Sequence, residues 1–282
     1  MQDYRIAMLW IEGPPSYLEQ LCIRSFLDAG HHVTLYHYGP VANVPAGVEL
    51  CDGAGIMPLG TVLVHERSGS PAPTADRFRY RLLAKLDRTI RADTDAYCLR
   101  PFTTATGYFF GWESQRSIGN GVFALPRDSD ALHALIAFTG DDCAIPEWFP
   151  AAERARLRAA RDAGRGEHAG RQPWGVWGPQ AVTHYLRRTG EIRHALPRAA
   201  LFPISFRDRR RMLRPGFDAR GHVTDATLSI HLYGRRIRRR LVRAEPGGMP
   251  RPGCLLDRLL RKHGVDPAAA PLPAAAPLPG AA

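Results

Sequence analysis

The sequence predicts an α/β fold built on a mostly parallel sheet. Residues 4–11 alternate apolar with other side chains and precede a Gly-Pro-Pro break, which indicates a buried strand that ends in a loop. Ser16 and Glu19 have the spacing of a capping box and begin an apolar helical pattern that ends at Gly30. Residues 32–38 are rich in β-formers, and the resulting strand, helix, strand unit is typical of parallel sheets.

The later elements follow from the same patterns. The spacing predicts helices over residues 76–86, 151–163 and 179–188, a hairpin or an interrupted strand over 107–125, and a strand over 227–233. Residues 128–130 read Asp-Ser-Asp before an apolar run, which predicts the N-cap and first turn of a further helix.

Length and composition fit one large domain. With 282 residues, 45% of them hydrophobic, the chain can bury a sizeable core, and we assign residues 1–266 to a single domain. Residues 139–172 change to an Ala/Arg helix flanked by Gly-rich segments, which indicates a helical insertion. Residues 267–282 are almost wholly Ala, Pro, Leu and Gly, so we expect a disordered tail.

Several function classes are disfavoured by composition. The five cysteines are scattered without C-x-x-C spacing, which argues against a disulfide framework and against a zinc site. Residues 1–5 lack the apolar run of a signal peptide, and about 18 consecutive apolar residues occur nowhere in the chain. We therefore expect a cytoplasmic protein.

The net charge of +11 is concentrated in two arginine clusters, at residues 207–211 and 235–240. Such clusters attract phosphates, anionic lipids or nucleic acid, although a solvated helix face explains them equally well. Leu232, Ile237, Leu241 and Val242 interleave with the second cluster at near-helical spacing. This spacing is compatible with a basic amphipathic helix, so peripheral membrane contact, at the inner face of the membrane, is a hypothesis.

A pair of carboxylates forms the strongest candidate site. Asp93 and Asp95 follow a short apolar segment, and an extended conformation would place both on one face, where they can share one hard cation. Such a cation can coordinate the phosphate oxygens of a diphosphate. Asp128 and Asp130 have the same spacing, but they lie at a predicted helix start, so we discount them as ligands.

Residues 76–102 resemble the DXD-containing sugar-binding region of a family of bacterial glycosyltransferases, which are relatives of the yeast initiating mannosyltransferases and the clostridial glucosylating toxins. The similar segments cover about residues 5–235 in chain order. Beside the DXD run they are Leu9-Trp10-Ile11-Glu12-Gly13-Pro14, Phe110-Gly111-Trp112-Glu113 with Asn120, Trp177-Gly178-Pro179-Gln180 and Ser229-Ile230-His231.

The resemblance implies a GT-A-like fold, that is, a Rossmann-like mixed, mostly parallel sheet flanked by helices. It also implies metal-dependent transfer of a hexose from a nucleotide-diphosphate sugar, a UDP-sugar, to a saccharide or glycolipid acceptor, with retention, in cell-surface polysaccharide or lipopolysaccharide assembly. Oxygen ligands suit Mn²⁺ or Mg²⁺.

The resemblance also implies residue roles. The catalytic set is Asp93, Asp95, Glu113 and Asn120. The donor-binding set is Trp10, Ile11, Gly13, Asp76, Arg79, Tyr80, Asp93 and Thr94. The metal set is Asp95, Asp93 and His231.

The residues themselves leave structural alternatives open for several of these positions. Asp76 and Arg79 are spaced as an ordinary helical ion pair, and Tyr80 can be a core aromatic. Trp10 can be a buried strand tryptophan, and His231 a half-buried strand histidine.

One departure from the family bears on function. Relatives have Gly-Gly and an aromatic residue shortly before the DXD, whereas residues 86–92 here read Leu-Asp-Arg-Thr-Ile-Arg-Ala. Arg91 offers a cationic stack in place of the ring. A catalytically silent nucleotide-sugar-binding protein is therefore the alternative function. No nucleic-acid-binding motif accompanies the arginine clusters, so we expect no nucleic-acid partner.

Overall fold

The computed structural model describes residues 4–11, 13–60 and 62–273. In chain order its strands are β1 (Arg5–Trp10), β2 (Val33–His37), β3 (Glu49–Asp52), β4 (Thr89–Ala92), β5 (Ala96–Cys98), β6 (Phe109–Trp112), β7 (Ile118–Ala124) and β8 (Ser229–His231). Its α-helices are α1 (Tyr17–Asp28), α2 (Ala72–Lys85), α3 (Asp130–Thr139), α4 (Ala151–Asp162), α5 (Ala181–Arg188), α6 (Arg198–Leu201), α7 (Gly234–Ala244) and α8 (Leu255–Lys262).

Six strands form the central sheet in the order β3-β2-β1-β4-β7-β6, and β5 pairs with β8 in a separate small sheet. The pairs β3·β2, β2·β1 and β1·β4 are parallel, while β7 runs antiparallel to both β4 and β6. The predicted α/β fold, a mixed and mostly parallel sheet flanked by helices, is therefore confirmed.

The register of β1 determines where the candidate residues meet. Ile6 pairs with Val33 on one side and with Ile90 on the other, so three parallel strands end at the same edge of the sheet. Trp10, at the end of β1, and Asp93, directly after β4, both lie at this carboxyl edge. Ligands of open α/β sheets gather at that edge.

The predicted capping box begins α1. The backbone N–H of Ser16 donates to Glu19 Oε2 at 2.9 Å, and the Ser16 hydroxyl is bonded to the same carboxylate. Leu18, Leu21 and Phe26 on the inner face of this helix are fully buried. Each contributes about 1.5–3 kcal/mol relative to an exposed position, so packing outweighs helix propensity here.

The extended conformation expected for Asp93-Thr94-Asp95 is wrong. β4 ends at Ala92, Thr94 and Asp95 form a turn, and the N–H of Ala96 donates to the carbonyl of Asp93 at 3.0 Å. The bend is imposed by two different partners, because the Asp93 N–H donates to Gly121 O at 2.6 Å whereas the Asp95 carbonyl accepts from Leu232 N–H at 2.8 Å. The chain therefore leaves the central sheet at this point and enters the β5·β8 pair.

The predictions for residues 107–130 concern the β6·β7 hairpin and the start of α3. β6 and β7 form the expected hairpin, but its turn lies at residues 113–117, and Gly119-Asn120-Gly121 is inside β7. The helix start predicted at residues 128–130 is confirmed, because the Ser129 side chain accepts from the N–H of Leu132 at the start of α3. Asp128 and Asp130 are both exposed.

Two predicted peripheral segments contribute to the core in part. The helix of the 139–172 insertion is present as α4, and among its residues Leu157 is buried. The disordered tail predicted for residues 267–282 is wrong over 267–273, where Ala270 and Leu272 are buried and the Tyr17 N–H donates to Ala270 O at 2.7 Å. Residues 274–282 lie outside the described part of the chain.

The basic helix α7 turns its apolar side inward. Leu232, Ile237 and Leu241 are buried in a second hydrophobic cluster with the inner side of α1 and with α8. Among the described helices, none combines the length and the apolar composition that crossing a bilayer requires.

We expect Gly119→Ala to destabilise the fold. A Cβ at this position of β7 would lie 2.3 Å from Phe202 Cζ, so the Phe202 ring, which is 2% exposed, would have to shift within the core. Overpacking of this kind costs about 1–3 kcal/mol of the free energy of unfolding, which urea denaturation measures.

Gly221→Ala is the matched control, because a Cβ there meets no heavy atom within 4 Å. An equal loss of stability in both variants would contradict the packing argument for Gly119.

Candidate active site

The candidate site lies at the carboxyl edge of β1 and β4. Five parts of the chain meet there: α2, the turn between β4 and β5, β7, the irregular helix Val176–Gln180, and the end of β8. The sequence places these parts up to 155 positions apart, since Asp76 and His231 both contribute. The chain therefore gathers most of the predicted positions at one place.

Asp93 is held by two buried guanidinium groups. Arg79 Nη2 donates to Asp93 Oδ1 at 3.1 Å, and Arg91 Nη1 donates to the same oxygen. Both arginine side chains are 3% exposed. Because a buried cation needs a paired anion, removing Asp93 would leave Arg91 without its carboxylate and Arg79 with Asp76 alone, and breaking such a pair costs about 3–5 kcal/mol.

Asp76 is the second buried carboxylate, with 7% exposure. Its Oδ1 accepts from Asn120 Nδ2 at 2.8 Å and lies 3.6 Å from Arg79 Nη2. Burial raises the pKa of Asp76, while Arg79 and the Asn120 amide act in the opposite direction. The Arg79 guanidinium is nearer to Asp93 than to Asp76, so the pair is more than a helical i, i+3 contact.

Asp95 is fixed by the start of α7. Its Oδ2 accepts from the backbone N–H of Gly234 at 2.8 Å, and its Oδ1 lies 3.5 Å from His231 Nδ1. Pairing of Ala96 with His231 in the β5·β8 sheet holds the two side chains together. Tyr233 lies in the chain between β8 and α7. Its φ of +53° is a left-handed conformation that turns the chain from the strand into the helix.

Gly121 leaves space between the two halves of the site. A Cβ there would lie 3.2 Å from His231 Nδ1 and 3.4 Å from Asp93 Oδ2. The imidazole and the carboxylate oxygen that the arginines leave free therefore face the same small volume. A glycine inside a strand often marks such a close approach.

Few side chains here could ligate a divalent cation. In the part of the chain that the structure describes, no group of three or more His, Cys, Asp and Glu residues is arranged to hold a metal ion. Asp93 Oδ2 and Asp95 Oδ1 remain as oxygen donors beside His231. Mg²⁺ typically binds through one or two carboxylates together with substrate phosphates and water, and this donor set suits that mode.

The remaining predicted positions divide between the site and the core. Trp10 is half-buried at the sheet edge, beside Ile11, and its Nε1–H donates to Gly13 O at 2.6 Å. Tyr80 is fully buried and donates to Trp177 O at 2.6 Å, so it is the core aromatic that the sequence left open.

Thr94 occupies the turn between β4 and β5. Glu113 begins the turn between β6 and β7, close to Tyr233, and burial together with the Glu113 carboxylate raises the pKa of Tyr233. Both residues therefore lie beside the site, and neither bonds directly to Asp93 or Asp95 among the described contacts.

Sequence reasoning missed three contributors. The expected cationic stack from Arg91 is wrong, because its guanidinium is buried on Asp93. Gly121 and the backbone N–H of Gly234 were also missed. A charged residue in an otherwise apolar strand is a usable signal for Arg91, and a glycine inside a strand is one for Gly121. The backbone N–H of Gly234 has no signature in the sequence.

Comparisons with known proteins add little to this geometry. No protein-family model matches the chain, and no curated protein matches it. A solved structure described as a double cysteine-to-serine mutant of a transferase is similar with a TM-score of 0.34 and 10% identity, over 58% of this chain and 86% of that one. A likeness at this level defines neither the family nor the function.

We expect Asp76→Asn to change the pH dependence of stability. Because burial raises the pKa of Asp76 above its ordinary value of 3.8, the folded chain binds the proton more tightly than the unfolded chain. This contribution is complete below pH 3.8 and is lost as pH rises through the raised pKa. The free energy of unfolding of the wild type should therefore fall, relative to Asp76→Asn, as pH rises above 3.8 in urea denaturation.

Asp162→Asn, at the exposed end of α4, is the control and should follow the wild type at every pH. If the free energy of unfolding had the same pH dependence in Asp76→Asn and the wild type, burial would not raise the pKa of Asp76.

Gly121→Ala should impair cation binding with little loss of stability. The added methyl group would occupy the space that His231 and Asp93 Oδ2 face, and these side chains must shift by a few tenths of an ångström to admit it. We expect Mn²⁺ titration in the presence of a nucleoside diphosphate to give at least about tenfold weaker binding, or about 1.4 kcal/mol. Unchanged cation affinity would mean that the ion binds elsewhere.

Proposed function

We propose that the chain is a metal-dependent glycosyltransferase. It would transfer a hexose from a nucleotide-diphosphate sugar, a UDP-sugar, to a saccharide or glycolipid acceptor, with retention, in cell-surface polysaccharide or lipopolysaccharide assembly. We propose Mn²⁺ or Mg²⁺ as the cofactor and the cytoplasm as the location. The observation that carries the proposal is that the carboxyl edge of the sheet gathers six predicted site residues, each in contact with another of the set: Asp76, Arg79, Asp93, Asp95, Asn120 and His231.

The charge balance of the site supports a cation and a diphosphate together. Three carboxylates, Asp76, Asp93 and Asp95, face two guanidinium groups, so the side chains carry no positive excess of their own. A divalent cation bound here supplies the positive charge that stabilises a departing diphosphate. The role of Arg79 and Arg91 is to hold Asp93 with one oxygen turned toward that space.

The narrow cleft beside the site has room for about one water molecule, so a sugar would bind at its rim. Asp76 lines it together with His65, Trp174 and Trp177. Trp174 is 48% exposed, and the part of its ring that Arg235 leaves uncovered can pack against the non-polar side of a sugar. Trp177 Nε1 is buried without a hydrogen-bond partner among the described atoms, and a ligand hydroxyl would satisfy it.

Asp76 helps to shape the cleft, and both of its carboxylate oxygens already have neighbours. Its Oδ1 is occupied by Asn120, and its Oδ2 lies against the backbone at Gly178, where a Cβ would come within 2.7 Å. Because this glycine permits close approach of the loop, the carboxylate and the loop backbone together form one wall of the cleft.

A catalytically silent nucleotide-sugar-binding protein is the second candidate. The observation that favours it is Arg91, whose guanidinium occupies an oxygen of Asp93 that a metal ion would otherwise use. Release of free nucleoside diphosphate separates the two functions, because the enzyme produces it with Mn²⁺ and the binding protein does not.

We expect a thermal-shift screen of nucleoside diphosphates and their sugars to give a stabilising pair that requires Mn²⁺. At a ligand concentration of 100 Kd, stabilisation of about 2.7 kcal/mol should raise Tm by roughly 5 °C in a chain of this size. Mn²⁺ alone should give a small shift, since the donor phosphates supply part of its coordination. Asp95→Asn should remove the Mn²⁺-dependent part and lower turnover by about 10²–10³-fold.

The chain provides its own control in the second Asp-x-Asp. Asp128→Asn and Asp130→Asn change the same residue type at the same spacing, yet both positions are exposed at the start of α3. Both variants should retain the shift and the turnover. The absence of any shift across the panel with wild-type protein would contradict the proposed function.

A further inference from the structure

Helix α7 connects the site to an arginine-rich surface. It begins at Gly234, whose N–H binds Asp95, and at about 1.5 Å per residue its exposed Arg240 and Arg243 lie roughly 9 and 14 Å farther along the axis. Ile237 and Leu241 are buried in the core, and Arg238 pairs with the buried Glu19. The apolar side of the helix is therefore fully used by the fold, and its arginine side faces outward.

Three cations on that outer side stand in a row. Arg236, Arg240 and Arg243 are exposed and are spaced four and three positions apart, which places them on one face of the helix. Within the part of the chain that the structure describes, none of the three forms an ion pair. A row of like charges without counter-charges favours an anionic partner.

Exposed aromatic side chains flank this row. Trp174 and Phe206 are 48% and 42% exposed, and each lies under a guanidinium group. Arg235 is 5.2 Å from the Trp174 ring centre, and Arg209 is 3.7 Å from that of Phe206. Aromatic rings mixed with arginine stems are the composition that suits a membrane interface.

Both aromatic residues also adjoin the candidate site. Trp174 lines the cleft that contains Asp76. Phe206 packs edge-on against Tyr233 at 5.4 Å, and Tyr233 packs against His231 at 4.6 Å. A surface that engages these residues would therefore lie directly at the mouth of the site.

We propose that the docking surface formed by Trp174, Phe206, Arg236, Arg240 and Arg243 binds the anionic phospholipid headgroups of a bilayer. The guanidinium groups pair with headgroup phosphates, and the two exposed aromatic rings enter the interfacial layer. The surface goes beyond the transfer reaction, and it would present the site to an acceptor that lies in the membrane plane.

The geometry favours a bilayer over a nucleic acid. Proteins that bind single strands stack bases on free aromatic faces along a groove. Here the face of Phe206 is already covered by Arg209 at 3.7 Å, and the arginines of α7 lie along a convex helix surface. A flat anionic surface can contact residues from several segments at once, and this requires no groove.

Co-sedimentation with vesicles tests the proposal at physiological salt. The wild-type chain should bind vesicles that contain phosphatidylglycerol and phosphatidylcholine, and it should not bind pure phosphatidylcholine. Each basic residue near an anionic bilayer contributes about fivefold to partitioning, so the double variant Arg240→Glu/Arg243→Glu should bind about 30-fold more weakly or worse.

The matched control is Arg158→Glu/Arg165→Glu, which makes the same change of net charge at two exposed arginines in and after α4. It should bind nearly as the wild type does. An equal loss in the control, no binding of the wild type to anionic vesicles, or tighter binding to an RNA hairpin than to vesicles would each overturn the proposal.

Two further readouts separate this proposal from the proposed function. Arg240→Glu/Arg243→Glu should keep the wild-type Tm and its Mn²⁺-dependent shift with the nucleoside diphosphate, because neither residue contacts the site. Vesicle binding should persist in Asp95→Asn, which is expected to lose the Mn²⁺-dependent shift with the nucleoside diphosphate. Loss of vesicle binding in Asp95→Asn would contradict a docking surface that is independent of catalysis.

Discussion

The ion cluster of Arg79, Arg91 and Asp93 is the interaction on which the rest of the site depends. Arg91 projects from β4, whose four residues are all buried, and Arg79 projects from the buried face of α2. Two buried guanidinium groups must share an anion, and Asp93 Oδ1 serves both. The cluster thus fixes α2 against β4. Of the two Asp93 oxygens, it leaves Oδ2 facing the space beside Gly121. Asp76, which accepts a hydrogen bond from Asn120, lies 3.6 Å from the Arg79 guanidinium.

Local patterns in the sequence predicted the elements well, and the reason is physical. The capping box of α1 and the i, i+3 spacing of Asp76 and Arg79 involve interactions within one turn of helix, which the sequence states directly. The bend at Asp93 and Asp95 depends instead on hydrogen bonds to β7 and to the residue after β8, 28 and 137 positions away. No local pattern contains that information, so the predicted extended conformation was wrong.

Individual site residues were predictable to different degrees. His231 was indicated by the resemblance of its segment to the glycosyltransferase family, and it lies 3.5 Å from Asp95. The pairing of Arg91 with Asp93 could not be predicted without knowing that Arg91 is buried. On an exposed strand the same residue would be free to stack on a ligand. The Gly234 N–H reaches Asp95 because Tyr233 adopts a left-handed conformation, which nothing in a tyrosine predicts.

The packing of the segment after α8 has a practical consequence for how the chain is handled. The Tyr17 N–H, one of the donors that a helix start leaves open, is satisfied by the carbonyl of Ala270. Ala270 and Leu272 belong to the same hydrophobic cluster as Leu18 and Leu21 of α1. The low-complexity composition of residues 267–282 suggests truncation after residue 266. Such a truncation would remove Ala270 and Leu272 from the cluster and destabilise α1.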